Sequence, residues 1–159
     1  MVTSSYFKQT IVKNQKIIKL FFIIFLLKLI CAHSFAYLNT TFFKFEIKDF
    51  DELSQNELFF AVVVFSPIIE TLLCQFFLYR LLIQLGIKNE LILIILMAFV
   101  FSQFHWYHWL YVVATFFGGL LLNYFYLSIY KIKNEFIAVL WTIALHSSFN
   151  LYGFLVNNL

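Results

Sequence analysis

Three ionisable side chains stand out because they lie inside long apolar runs of the sequence. Glu70, His105 and His146 each have mostly aliphatic and aromatic neighbours. Titratable groups within a lipid bilayer are costly to bury, and by default they mark a functional site. Asn150 follows His146 by four residues, which places both side chains on one face of a helix. We therefore take these four residues as the candidates for chemistry.

The chemistry that these side chains favour is hydrolysis by an activated water molecule. A carboxylate and an imidazole can bind water and accept its proton, as Glu70 and His105 would do. The N–H groups of His146 and Asn150 could stabilise the oxyanion that forms at an attacked carbonyl group. No serine or cysteine has an evident base partner, so a covalent mechanism is less attractive. The same Glu and His side chains could bind Zn²⁺ instead, and without an H-E-x-x-H motif the sequence leaves both routes open.

The composition indicates that a membrane surrounds these residues. Of the 159 residues, 63% are hydrophobic and only 12% are charged, whereas a soluble domain is about half apolar and about a quarter charged. Apolar runs cover residues 17–38, 57–85, 91–130 and 136–156. A spanning helix needs about 20 residues, so the third run must fold back, most naturally at the aromatic corner His105–Trp109. We predict an all-α, polytopic transmembrane helix bundle of about five spans.

The charged residues between the apolar runs predict the orientation of the chain. Four lysines lie at or before the start of the first run, and further basic residues end the second and fourth spans, whereas the other span ends are neutral or acidic. Under the positive-inside rule this alternation predicts a cytoplasmic N-terminus, and we expect a bacterial plasma membrane. The net charge of +3 is too small to indicate a nucleic acid partner. Lys28 and Arg80 lie nearer to span ends, so we expect them to snorkel to the interface.

The second apolar run, which carries Glu70, is long for one span. It is either tilted or broken near Pro67, where Ser66 and Pro67 could start a new helix. At helical spacing, Glu70, Thr71 and Gln75 fall on one face. Polar stripes in lipid must face one another or a water-filled cavity. Any one of these polar residues alone could be a plain interhelical hydrogen-bond partner, but their joint presence on three helices favours a site.

The order and spacing of these residues resemble the motifs of one known family, the CPBP intramembrane proteases, named for CAAX processing and bacteriocin processing. These are relatives of the prenyl-protein CAAX endopeptidase. The first motif of the family is a Glu-Glu pair with an Arg four residues after the second Glu. Its other motifs are F-x-x-x-H and a His with an Asn four residues later. The resemblance covers about residues 66–152, and the matching positions are Glu70, Thr71 and Gln75, then Phe101 and His105, then His146 and Asn150.

A second position also fits the F-x-x-x-H motif, because Phe104 precedes His108 by four residues. We prefer His105, since Gly118 and Gly119 then follow at about the spacing expected in the family. We interpret His108 as an interfacial residue among aromatic side chains.

The resemblance implies a membrane-embedded glutamate- or metallo-endopeptidase. Its catalytic centre would consist of Glu70 and the two histidines, with Asn150 assisting, in a CPBP-like core at residues 57–159 that follows an N-terminal span and polar loop at residues 1–56. The expected substrate is a membrane-associated peptide or protein, processed in the CAAX or the bacteriocin manner. The neutral Thr and Gln of the first motif keep hydrogen bonding but remove a possible buried ion pair. The chain is short for the family, so a homo-oligomer could complete the fold.

Two other classes of function stay open. A catalytically inactive relative could bind a peptide, confer bacteriocin immunity or act as a membrane scaffold, and the neutral first motif favours it. A small transporter or channel subunit ranks last, because the sequence has no internal repeat and no matching pair of broken helices.

Overall fold

The computed structural model describes residues 2–45 and 53–157, with side chains described for residues 10–45 and 53–156. These described residues form five helices and no strand. The helices are α1 (Val2–Leu38, extended by the π-helical turn Asn39–Phe43), α2 (Gln55–Gln84), α3 (Glu90–Gln103), α4 (Trp109–Ile132) and α5 (Glu135–Asn157). All of them except α3 are long and apolar enough to cross a bilayer. The predicted all-α polytopic bundle is therefore confirmed.

The third apolar segment forms a shorter helix than the others. α3 has 14 residues and, at 1.5 Å per residue, is about 21 Å long, whereas the hydrocarbon core of a bilayer is about 30 Å thick. The Asn89 side chain caps its first turn by accepting a hydrogen bond from the backbone N–H of Ile92. The helix ends at Gln103, and the chain turns through residues 104–108 before α4 begins. The aromatic corner predicted at His105–Trp109 coincides with this turn.

α2 runs without a break past Pro67, although the sequence allowed a break there. A capping box fixes its start: the Ser54 hydroxyl accepts from the backbone N–H of Glu57, and the Glu57 carboxylate accepts from the backbone N–H of Ser54. Further along, the hydrogen-bond pattern of the helix changes while the helix itself continues. Its successive segments are Gln55–Phe59 (α), Phe60–Phe65 (π), Ser66–Glu70 (α), Thr71–Phe77 (π) and Leu78–Gln84 (α).

The reason that α2 tolerates Pro67 lies in a side chain of α5. In the first π-helical segment the backbone N–H of Ser66 donates five residues back, to the Ala61 carbonyl. The next N–H of that series would come from residue 67 and would donate to the Val62 carbonyl, but proline has no N–H. Instead, Nδ2 of Asn150 donates to the Val62 carbonyl at 2.9 Å. The carbonyl that proline leaves unpaired is thus satisfied from the neighbouring helix.

α4 lies at the centre of the bundle and packs against α1, α3 and α5. Its fully buried apolar side chains lie on one face and include Leu122, Phe125, Tyr126 and Ile129. α1 runs antiparallel to α4, because successive aromatic contacts join Phe21 to Phe125, Phe35 to Phe117 and Phe43 to Trp109. The N-terminal half of α1 therefore lies at the same end of the bundle as the C-terminus of α4.

Ion pairs join the helix ends at that same end of the bundle. Arg80 of α2 pairs with Glu135 of α5, and Lys131 of α4 pairs with Glu90 of α3. The snorkelling expected of Arg80 agrees with this position, since its side chain is more than half exposed. Arg80 and Lys131 thus lie on one side of the bundle, as the alternation of charges in the sequence predicts. The cytoplasmic location of that side stays a prediction.

Candidate active site

The structure brings Glu70, His105 and His146 together inside the bundle. Glu70 lies in α2, His105 in the turn after α3, and His146 in α5. The Oε2 atom of Glu70 lies 3.7 Å from Nε2 of His105 and 3.7 Å from Nε2 of His146. The three side chains are mostly buried, with 19%, 15% and 4% of their surface exposed. Three residues that are far apart in the sequence thus form one acid–base group.

Phe101 positions both histidines of this group. Its ring centroid lies 4.7 Å from that of His105 and 5.7 Å from that of His146. The Nδ1–H of His105 donates to the Phe101 carbonyl at 3.0 Å. Phe101 is itself almost fully buried, so it is a fixed support for both imidazole rings. The F-x-x-x-H spacing follows from this contact, because residues four apart lie above one another along a helix.

The hydrogen bond to Phe101 decides which nitrogen of His105 faces Glu70. Because Nδ1 carries the proton that is donated, Nε2 of the neutral ring presents a lone pair to the carboxylate. Oε2 of Glu70 and Nδ1 of His146 have no hydrogen-bond partner among the described residues. A separation of 3.7 Å between polar atoms is too long for a direct hydrogen bond and suits a bridging water molecule. The group is therefore spaced to share a small polar molecule.

A cavity of about 380 Å³ opens beside this group. His105, His146 and Asn150 line it, together with mostly apolar side chains of α1, α4 and α5. Glu70 is not a lining residue, but its Oε2 atom lies 3.7 Å from Nε2 of each of the two histidines that line the cavity. The volume falls within the range of small-ligand pockets, about 300–1,000 Å³.

The other predicted site residues have different positions. One amide N–H of Asn150 is used by the Val62 carbonyl, and the side chain also lines the cavity. Gln75 points away from the cavity into the helix interface, where its Nε2 donates to Oδ1 of Asn123 at 2.9 Å. Thr71 is fully buried and does not line the cavity. Neither of the two neutral residues of the first motif thus lines the cavity.

Lys28 of α1 lines the same cavity, and the sequence analysis was wrong about it. Snorkelling predicts an exposed ammonium group, but only 4% of Lys28 is exposed. Its Nζ lies 3.5 Å from the Gly118 carbonyl and 4.5 Å from the centroid of the Phe149 ring. The packing of α1 against α4 and α5 encloses the side chain. A charged residue within an apolar run was the signal that should have placed Lys28 among the candidates.

His108 has a structural contact that explains its presence without chemistry. Its Nδ1 accepts a hydrogen bond from the backbone N–H of Tyr111 at 3.1 Å, which caps the first turn of α4. Its ring packs against Phe45, with 4.7 Å between the ring centroids. This agrees with the interpretation of His108 as a residue of the aromatic corner.

The sequence left open whether Glu70, His105 and His146 bind Zn²⁺, and the positions of possible ligands bear on this question. Among the described residues, no group of three or more His, Cys, Asp or Glu side chains is spaced to hold a metal ion. Glu70, His105 and His146 have the donor atoms that Zn²⁺ accepts, but as they are arranged they do not form a metal site. We therefore derive no step that depends on a metal.

The fold and the buried carboxylate–imidazole group define a polytopic membrane protein with an acid–base site between its helices. The family model described as Type II CAAX prenyl endopeptidase Rce1-like matches residues 54–152, well over half of the chain. The chain therefore belongs to this family of membrane proteases, and the resemblance drawn from the three motifs is confirmed. No curated protein and no solved structure matches the chain. The matched residues include Glu70 and both histidines, whereas α1 lies outside them.

Proposed function

We propose that the protein is an intramembrane endopeptidase that hydrolyses a peptide bond of a membrane-associated peptide or protein. The observation that carries this proposal is the position of Glu70 Oε2, which is 3.7 Å from Nε2 of both His105 and His146 in a chain of the CAAX endopeptidase family. Burial of these groups in the bundle strengthens their electrostatic interactions, because water is excluded. We assign the catalytic roles to Glu70, His105 and His146, with Asn150 assisting.

The attacking group in this mechanism is water held between Glu70 and His105. The lone pair of His105 Nε2 accepts one hydrogen bond from the water, and Oε2 of Glu70 takes the other proton as general base. The water oxygen then forms a bond to the carbonyl carbon of the substrate. Glu70 next delivers the proton to the nitrogen of the leaving group as the C–N bond breaks. The second proton of the water stays on the new carboxyl group and then passes to the amine, so the products are a carboxylate and an ammonium group.

Two N–H groups are suited to the oxyanion of the tetrahedral intermediate. Nδ1 of His146 has no hydrogen-bond partner among the described residues. We place the ring proton on Nε2, because Nδ1 then leaves a lone pair unpaired rather than a buried N–H. That proton points towards the group that binds the water and the substrate carbonyl. Asn150 lines the cavity and has a second amide N–H, since only the first is donated to Val62. Donors fixed in this way stabilise the transition state without reorganisation.

The proposal extends to the setting of the enzyme. The basic helix ends would lie on the cytoplasmic side of a bacterial plasma membrane, with the N-terminus on that side. The substrate would be anchored in or delivered to the bilayer, because the cavity lies between helices that lipid surrounds. A CAAX-type or a bacteriocin-type substrate fits this requirement.

The first test compares cells that express the wild type and Glu70→Gln at matched membrane levels. New peptide ends are identified by mass spectrometry, and we expect ends that occur only with the wild type. His105→Ala and His146→Ala should lose the same products. Two matched controls should keep them: Glu90→Gln, which alters a surface ion pair, and His33→Ala, which removes a histidine outside the cavity.

A catalytically inactive relative that binds a peptide, as an immunity factor or a scaffold, is the second candidate. It is supported by the neutral side chains at Thr71 and Gln75, of which Gln75 is committed to Asn123. This alternative predicts no new peptide ends with the wild type. It also predicts that Glu70→Gln keeps its partner binding, because the substitution preserves the shape of the side chain.

A further inference from the structure

Lys28 is a buried cation that the mechanism above does not use. It extends from α1 into the cavity that His105 and His146 line. Its surface is 96% buried, since only 4% is exposed. α1 lies outside the residues that match the family model, so no family motif accounts for this side chain.

The ammonium group of Lys28 has unused hydrogen-bonding capacity. It carries three N–H donors. Within the described part of the chain its one hydrogen-bond acceptor is the Gly118 carbonyl at 3.5 Å, which is at the long limit of a hydrogen bond. The face of the Phe149 ring, 4.5 Å away, adds a cation–π contact but accepts no strong hydrogen bond.

Lys28 also has no close counter-ion in the described part of the chain. None of the acidic side chains there lies within ion-pair distance of its ammonium group, although it interacts electrostatically with Glu70 at longer range. Burying an unpaired charge is unfavourable unless an oppositely charged group completes its surroundings. A cation held at the wall of a ligand-sized cavity is therefore suited to an anionic ligand.

We propose that Lys28 binds a carboxylate group of the peptide substrate inside this cavity. The inference rests on the proposed peptidase function, because the cavity is the one beside Glu70 and the two histidines. The carboxylate would form charge-assisted hydrogen bonds to the free N–H donors of Lys28. The apolar cavity wall would take the neighbouring part of the peptide. The carboxylate comes either from the C-terminus of the substrate or from an acidic side chain.

The test measures peptide binding to the full-length Glu70→Gln protein in lipid nanodiscs, so that no peptide is cleaved. Three short peptides of apolar residues, each blocked at its N-terminus by a fluorophore, serve as probes. The first has a free C-terminal carboxylate, the second has a C-terminal amide, and the third has the amide together with one aspartate. Each is titrated by fluorescence anisotropy.

We expect a peptide with a carboxylate to bind about tenfold or more tightly than the fully amidated peptide, as a charge-assisted hydrogen bond predicts. If the free acid alone binds tightly, the carboxylate is that of the C-terminus. If the aspartate peptide binds as tightly, a side-chain carboxylate also serves. Equal binding of all three peptides would overturn the proposal, and this comparison needs no substitution at Lys28.

Substitutions then assign the effect to Lys28. Lys28→Met keeps the length of the side chain without its charge and should remove the preference for a carboxylate, while Lys28→Arg should restore part of it. Lys19→Met changes an exposed lysine of the same helix and should bind like the parent. An unchanged preference in folded Lys28→Met would refute the assignment. Because the readout is binding, Lys28 dependence without any cleavage by the wild type would reject only the peptidase function.

Discussion

The hydrogen bond from Asn150 to Val62 leads to a prediction about stability that depends on Pro67. Asn150→Leu removes the amide that donates to the Val62 carbonyl at 2.9 Å. In the wild type the π-helical donor to Val62 is missing, because residue 67 is a proline without an N–H. Pro67→Ala supplies a backbone N–H at the position from which a π-helical hydrogen bond to Val62 would come. The loss caused by Asn150→Leu should therefore be smaller in the Pro67→Ala background.

The expected magnitude follows from the surroundings of the Val62 carbonyl. Leaving a buried acceptor unpaired costs about 1–3 kcal/mol in soluble proteins. Interhelical hydrogen bonds in membrane proteins average about 0.6 kcal/mol and reach about 1.7 kcal/mol. Since this contact is only partly buried, we expect Asn150→Leu to cost about 1 kcal/mol. The coupling energy with Pro67→Ala should be about 0.5–1 kcal/mol.

The assay is a double-mutant cycle of unfolding free energies, measured by titration of the purified protein from mild detergent into SDS. Asn134→Ala is the matched control, because Asn134 caps the start of α5 far from Pro67. Its effect should add to that of Pro67→Ala within about 0.3–0.5 kcal/mol. If the cycle with Asn150→Leu is equally additive, the Val62 carbonyl does not depend on Asn150 and the explanation of the unbroken helix is wrong.

Three further predictions concern packing, the first motif and metal. A Cβ added at Gly119 would lie 3.1 Å from the Phe101 ring and 3.3 Å from Ala98 Cα, so Gly119→Ala should destabilise the protein by about 1–3 kcal/mol. In the control Gly118→Ala, the added Cβ would meet only the end of the Lys28 side chain, at 3.7 Å. Equal unfolding midpoints for the two variants would contradict this prediction. Gln75→Leu should cost about 1–3 kcal/mol because it removes the donor to a fully buried Asn123, and SDS unfolding that matches the wild type would argue against that bond. Peptidase activity should survive a zinc chelator within about twofold if water is activated as proposed; loss of activity that added Zn²⁺ restores would show a metalloenzyme instead.

The meeting of Glu70, His105 and His146 could be predicted from the sequence because lipid leaves polar side chains few alternatives. Each lies in an apolar run, so each must turn towards the other helices or towards water. The turn after α3 could be predicted for a similar reason, since an uninterrupted helix through that run would be far too long for a bilayer. In both cases the prediction depends on a property of the bilayer, its low polarity or its limited thickness, and can therefore be made from one sequence.

Other features could not be predicted because they depend on contacts between helices. The sequence gives no indication of the two π-helical segments of α2, since a backbone hydrogen bond to the residue five positions back produces no recognisable spacing of hydrophobic residues. The position of Lys28 depends on how α1 leans against α4 and α5. A lysine within an apolar run is a signal of function, but the sequence does not show which neighbouring helices enclose its side chain. The hydrogen bond from Asn150 to the Val62 carbonyl could not be predicted either, because it depends on the geometry around Pro67.

The short length of α3 has a consequence for the lipid around the protein. An exposed ion pair such as that between Glu90 and Lys131 is expected at a membrane surface, and a helix of about 21 Å that starts there would end before the hydrocarbon core does. The turn that carries His105 would then lie roughly a third of the way into the core from the opposite side. A bilayer relieves such hydrophobic mismatch by thinning locally. Thinning on that side would bring interfacial water close to His105. The length of the surrounding lipid acyl chains would then help to control how much water reaches the site for hydrolysis.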